Sequence, residues 1–252
     1  VAAGCALMRP DIFQRVALMS APFEGPPGFP AGSSPPASDM SLLDEALASL
    51  DPPRKHYQYY YTTRPANDDM MSGQLSLHDF LRAYFHVKSA DWSGNQPAPL
   101  PNWDAQHLGT MPTYYVMNRG ENMSDTVAPY LPMTETSQLC VWLPDTDLDF
   151  YTAEYSRTGF QGGLNWYRCG LSAEQTQELR LFAGRTIDVP ACFIAGRQDW
   201  GVYQRPGAFE TMQHKACTQM THVELVDGAG HWVQQEQPEA VVNSLLKWLP
   251  GR

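Results

Sequence analysis

The sequence predicts an α/β fold: a parallel sheet flanked by helices, interrupted by a large and mainly helical insertion. Short apolar runs at Val16 to Met19 and within Val189 to Gly196 have the length and composition of strands buried on both faces. After Gly184, strand and helix patterns alternate at the spacing that builds a parallel sheet. Between the first run and this tail, residues 42–168 read as helical with irregular connections.

The elements follow in order. "VAAGCALM" reads as a buried helix that Arg9-Pro10 ends, since proline inside a helix loses a backbone hydrogen bond. "RVALMSAPF" supplies the first strand. Pro22, Pro26, Pro27, Pro30, Pro35 and Pro36, mixed with Gly and Ser, then mark a boundary. "SLLDEALASL" places Leu43, Ala46, Leu47 and Leu50 on one helical face before Asp51-Pro52-Pro53 stops it. In "SLHDFLRAYF", Ser76 caps the first turn with Asp79, and Leu77, Phe80, Leu81 and Tyr84 line a face. "DWSGNQPAPLPNWDAQHLGTMP", residues 91–112, is too rich in turn residues for a regular element, and loops of that length are often functional. Ser172 with Gln175 caps a helix that runs to about Ala183 and ends at Gly184. "VPACFIAG" and "HVELVDGAGH" hold the second and third strands, with a helix in "RPGAFETMQHKA" between them. "PEAVVNSLLKWL" is the last helix, with Val241, Val242, Leu245, Leu246 and Leu249 as its apolar stripe. No internal repeat is evident. The resulting division is 1–22, first part of the α/β core; 23–183, helical insertion; 184–252, second part of the core.

Composition narrows the function classes. The chain has 252 residues, 43% of them hydrophobic and 12% aromatic, which suits a packed globular protein. Its formal charge of -10 disfavours nucleic acid and anionic membrane as partners. A neutral or apolar small ligand fits better. Cys5, Cys140, Cys169, Cys192 and Cys217 are odd in number and widely spaced, so they read as reduced core residues, with neither a zinc site nor a disulfide framework. No apolar run reaches the roughly 20 residues of a membrane helix. A cytoplasmic protein without metal or organic cofactor is expected, its oligomeric state open. The start at Val1, without methionine and inside an apolar helix, suggests the remainder of a longer chain.

Two residues stand where hydrolytic chemistry is placed. Asp199, in "AGRQDW", follows a buried strand, and ligands bind parallel sheets at that carboxyl edge. His231, in "DGAGHW", follows the next strand at the same edge. A carboxylate there can fix the imidazole's tautomer and stabilise its protonated form. Each also has a plain structural reading, as a solvated loop aspartate and as a loop histidine bonded to backbone. The order acid then base matches the chain order of α/β-hydrolases, in which a nucleophile precedes both. No GxSxG, GxDxG or GxCxG turn occurs. Ser20 follows a strand, but Ala21-Pro22 cannot open a helix after it; Cys5 lies inside a helix.

Three stretches resemble soluble epoxide hydrolases of the α/β-hydrolase superfamily: "FQGGLNWYR" at Phe160 to Arg168, "GAGHWVQQEQPE" at Gly228 to Glu239, and "RPDIFQRVALMSAPF" at Arg9 to Phe23. The similarity extends over essentially the whole chain, and "SADWSGNQPAPL" resembles the large-capped, fungal-type branch. The resemblance implies the C-terminal part of an α/β-hydrolase fold with a cap inserted after the first visible strand. It also implies an aspartate nucleophile shortly before Val1, in a segment the 252 residues do not contain.

By that resemblance, two cap tyrosines donate hydrogen bonds to the epoxide oxygen as the ring opens. Tyr167 matches one and Tyr57 the other, although Tyr59, Tyr60 and Tyr61 adjoin it and leave the register open. Without the family, any of these reads as packing. The aspartate would form an alkyl-enzyme ester, and His231, held by Asp199, would activate water to release a vicinal diol from a small apolar epoxide. Gln161 departs from the family's usual arginine. Two rivals remain: a haloalkane dehalogenase-like hydrolase, which has no use for tyrosines aimed at an alkoxide, and a truncated relative that binds a ligand or partner without turnover.

Overall fold

The computed structural model describes residues 1–29, 39–133, 136–137 and 140–249. The chain divides into two compact units: Val1–Ala31, Lys88–Asn102 and Gln177–Arg252 form one, Gly32–Val87 and Trp103–Thr176 the other.

The first unit is the α/β part. Its sheet is parallel, in the order β1 (Val16–Met19), β4 (Ala191–Gly196), β5 (Met220–Val226). Val16 pairs with Ala191 and Met19 with Ile194; Gly196 pairs with Val226. β4 is buried along its whole length, as its unbroken apolar run requires. Successive side chains of a strand point to opposite faces. Phe193 and Ala195 therefore pack with Ala6, Leu7, Val202 and Met212, while Cys192 and Ile194 pack with Val226, Val233 and Val241. The first helix, α1 (Ala2–Met8), lies where "VAAGCALM" predicts it.

The second unit is mainly helical. In chain order it holds α2 (Asp39–Ala48), α3 (Tyr57–Thr62), α4 (Ala66–Ser72), most of α5 (Leu77–Lys88), α6 (Ala105–Leu108), α7 (Met123–Val127), α8 (Asp145–Thr158), α9 (Gln161–Leu171) and α10 (Ala173–Thr176). Leu47, Phe80, Tyr114, Met123 and Leu148 are among its fully buried side chains. The Ser76 cap forms as expected: its hydroxyl accepts from Asp79 N at 3.1 Å and donates to the Asp79 carboxylate at 2.7 Å.

Four local expectations need correction. A two-stranded antiparallel ribbon, β2 (Arg54–His56) with β3 (Val116–Asn118), interrupts the helical region; three-residue strands are too short to leave a period. Residues 91–112 contain α6, capped by the Asp104 carboxylate accepting from His107 N at 2.9 Å. The helix begun at Ser172 makes one α-turn and tightens into a 3-10 helix over Gln177–Phe182. In the last helix, α13 (Pro238–Trp248), Val241 and Leu245 pack inward with Trp248, whereas Val242, Leu246 and Leu249 are exposed. At about 100° per residue, Val242 and Leu246 lie to one side of Val241 and Leu245, and that side of the stripe is left uncovered.

The cysteines are also less uniform than expected: Cys192 and Cys217 are buried, Cys5 and Cys140 half-buried, and Cys169 exposed on α9. Among the described residues, no helix is long and apolar enough to cross a membrane.

Candidate active site

Asp199 and His231 come together at the carboxyl ends of β4 and β5. After Gly196 the chain turns sharply, and Asp199 opens a 3-10 turn at Trp200–Val202 by accepting from Gly201 N at 2.7 Å. After β5 the chain passes through Gly228, in the left-handed region at φ 68°, where glycine carries no steric cost. It brings His231 Nδ1 to 3.1 Å from Asp199 Oδ1. The carboxylate is 1% exposed, whereas the imidazole side chain is 29% exposed. Burial pushes the Asp199 carboxyl up, but the charge of His231 and hydrogen bonds from His231, Ser20 and Gly201 outweigh it and leave the group below its ordinary value. Asp199 is thus held ionised against Nδ1, and Nε2 is on the opposite edge of the ring.

A second carboxylate braces the loop. α12 (Val233–Glu236) follows His231, and buried Glu236 accepts from Gly230 N and Trp232 N at 3.0 Å and from Ala90 N at 2.7 Å. His231 N donates to Lys88 O at 2.9 Å. Gly230 has to be glycine here, since a Cβ would stand 2.5 Å from Lys88 O. The backbone on both sides of the imidazole is therefore pinned, to α12 and to the segment after α5.

The tyrosines form a cluster within the helical unit. α3 begins at Tyr57, after His56 accepts from Gln58 N. α9 is tied to the end of α3 by Arg168, whose guanidinium donates to Thr62 O and Thr63 O at 3.1 Å each. That tie sets Tyr167 beside α3: its ring centroid is 5.9 Å from that of Tyr57 and 4.9 Å from that of Tyr61, both edge-on. Tyr61 Oη and Tyr84 Oη are 3.0 Å apart. Tyr60 turns away to donate to Asp69 at 2.8 Å, and Tyr59 is exposed. Of the four neighbouring tyrosines, Tyr57 and Tyr61 are the ones that meet Tyr167. Burial, then the neighbouring phenols Tyr57 and Tyr84, hold the Tyr167 hydroxyl protonated far above its ordinary range, as burial does for Tyr61. A phenol so held donates a hydrogen bond at any ordinary pH. Among the described residues, no group of three or more His, Cys, Asp or Glu is placed to hold a metal ion.

No protein-family model matches the chain. It is 42% identical to epoxide hydrolase A of Mycobacterium tuberculosis over 123 residues, 47% of this chain and 35% of that one. It is 28% identical to epoxide hydrolase B of the same organism over 263 residues, 98% of this chain and 67% of that one. The crystal structure of epoxide hydrolase A from Mycobacterium thermoresistibile superposes with a TM-score of 0.66 at 29% identity, over 99% of this chain and 65% of that one. The chain is thus similar to epoxide hydrolases, and its fold is that of the α/β-hydrolases. It spans less than two thirds of the first relative and of the solved structure.

Asp199 and His231, picked out by their positions after two strands, are hydrogen-bonded, and Tyr57 and Tyr167 are neighbours. Sequence reasoning missed three contributors. Glu236 was read only as part of a resembling motif, although its place in "GHWVQQE" could have marked it as an acceptor for loop amides. Tyr61, indistinguishable from its neighbours in "HYQYYY", is the second phenol that meets Tyr167. Ser20 has no nucleophile turn around it, yet its hydroxyl donates to Asp199 Oδ2 at 2.6 Å and lies 3.2 Å from His231 Nδ1. No local pattern carries that contact, which joins residues 179 and 211 apart.

Proposed function

We propose that this chain is the portion of an epoxide hydrolase that carries the base, its supporting acid and the ring-opening phenols, with the helical unit within residues 23–183 as the cap and the return at 88–102 left to the core. The observation that carries the proposal is the buried Asp199 carboxylate on His231 Nδ1 at the carboxyl edge of a parallel sheet. The similarity to named epoxide hydrolases supplies the reaction.

The reaction runs in two halves. An aspartate, assigned to sequence outside these 252 residues, attacks a ring carbon of a small apolar epoxide and forms an alkyl-enzyme ester. The C–O bond breaks toward the ring oxygen, which takes a proton from the phenols of Tyr167 and Tyr57. Their value lies in the transition state, where charge gathers on that oxygen. His231 Nε2 then takes a proton from water, whose oxygen adds to the ester carbonyl. On collapse the leaving oxygen takes the imidazolium proton and departs as the vicinal diol, and the aspartic acid left behind returns its proton to the phenol that gave one up. Asp199 stabilises the imidazolium formed in that second half.

The test is to trap the intermediate. In the complete protein, replacing His231 by Gln removes the water-activating step and leaves alkylation intact. Mass spectrometry after exposure to an epoxide should find the protein heavier by one substrate. An active wild-type enzyme whose variant never carries the adduct would overturn the ester mechanism.

A further inference from the structure

Ser20 is the first residue beyond β1, and its N–H still reaches Ile194 O at 3.4 Å, extending the β1–β4 ladder. It is the one non-glycine residue with positive φ, 64°, among the described residues. A serine in the left-handed region is strained, and such strain persists where the surroundings over-determine it. The hydroxyl shows what does so here. It donates to Asp199 Oδ2 at 2.6 Å and sits 3.2 Å from His231 Nδ1, while Asp199 Oδ1 receives Gly201 N–H at 2.7 Å and faces the same Nδ1 at 3.1 Å.

Gly201 provides an independent sign that this packing is specified. A Cβ there would stand 2.6 Å from Ser20 Oγ and 2.8 Å from Asp199 Oδ1. Any side chain at 201 would displace the hydroxyl from the carboxylate.

The geometry excludes Ser20 as a nucleophile. An attacking hydroxyl gives its proton to Nε2, whereas Ser20 approaches Nδ1 and already donates to Asp199. It belongs to the support of the base.

We propose that Ser20 is a positioning residue for His231: by donating to Asp199 Oδ2 beside the ring, it disperses the carboxylate charge and limits how basic Nε2 becomes. The proposal rests on the reading of His231 as the water-activating base. Other titratable groups near the ring are Glu236, which holds the amides of Gly230 and Trp232, and Asp91, which acts on Glu236. Lys88 accepts from His231 N through its backbone carbonyl. All of these stay in place when residue 20 changes, so a change in the ring's titration reports on the hydroxyl.

The test is an NMR titration of the His231 ring in the wild type, Ser20→Gly and Ser20→Asn. Glycine accepts φ 64° without strain, so Ser20→Gly deletes the hydroxyl while favouring the backbone. Its His231 should bind a proton more tightly, with the acid-dissociation constant falling about threefold or more. Asparagine tolerates the same φ and brings an N–H donor, so Ser20→Asn should return the titration toward wild type. In the complete enzyme, the acid limb of ester hydrolysis should move up in pH by the same factor in Ser20→Gly. An unchanged ring titration in Ser20→Gly overturns the proposal, as does a shift toward weaker proton binding. If the ring shifts as expected but no ester is ever formed, the reading of function fails while the role of Ser20 toward the ring stands.

Discussion

Replacing Glu236 by Ala removes the shared acceptor of three backbone amides, those of Ala90, Gly230 and Trp232. The carboxylate is 9% exposed, so solvent does not readily take its place. Leaving a buried N–H without a partner costs about 1–3 kcal/mol, so three of them bound the loss at roughly 3–9 kcal/mol. Removing a buried carboxylate returns part of that, because burial is what pushes the Glu236 carboxyl above its ordinary value. The net expectation is therefore the lower end, about 3 kcal/mol. For a protein of this size that lowers Tm by roughly 6–12 °C. Calorimetry measures the shift, and hydrogen exchange locates it, since the amides of Ala90, Gly230 and Trp232 should exchange faster than in the wild type. The pH dependence has a definite sign. A carboxyl raised on folding stabilises most when protonated, so the gap between wild type and variant should narrow as pH rises from the ordinary 4.5 through the higher folded value. A Tm change under about 1 °C, with unchanged exchange at the three amides, would refute the clamp.

Asp199→Asn tests the opposite case, a carboxyl held below its ordinary 3.8. Its stabilising effect is complete above that value and lost as pH falls through the lower folded one, so the variant should lose on the order of 2 kcal/mol near neutral pH and converge on the wild type in acid. Acid unfolding curves that stay equally far apart would contradict this. In the complete protein, Tyr167→Phe should slow ester formation roughly 10- to 100-fold in a single turnover, since Tyr57 retains a donor. An unchanged single-turnover rate removes Tyr167 from the ring-opening step.

The parts legible in the sequence were those governed by local pattern. Burial along its whole length made β4 readable as an unbroken apolar run, whereas β1 has the same composition but is buried only in alternation, with Met19 exposed. Asp199 and His231 could be placed because each follows a strand, and in a parallel sheet those strand ends share an edge. What could not be read depends on contacts between distant segments. Nothing near Ser20 announces that its hydroxyl meets a carboxylate in the turn after β4. The choice among Tyr57, Tyr59, Tyr60 and Tyr61 turns on where α9 lies against α3, which Arg168 fixes through two carbonyls. Likewise β2 and β3 exist through pairing between distant segments, with the Arg54 guanidinium donating to Val116 O, 62 residues away.

Residues 88–102 belong to the α/β unit although helical segments precede and follow them. The polypeptide therefore leaves that unit and re-enters it twice. Exchanging the whole region 23–183 for that of a relative would take away Lys88 O and Ala90 N, on which His231 and Glu236 depend. A chimera that keeps these contacts has to be spliced in two pieces, with this short return retained by the recipient.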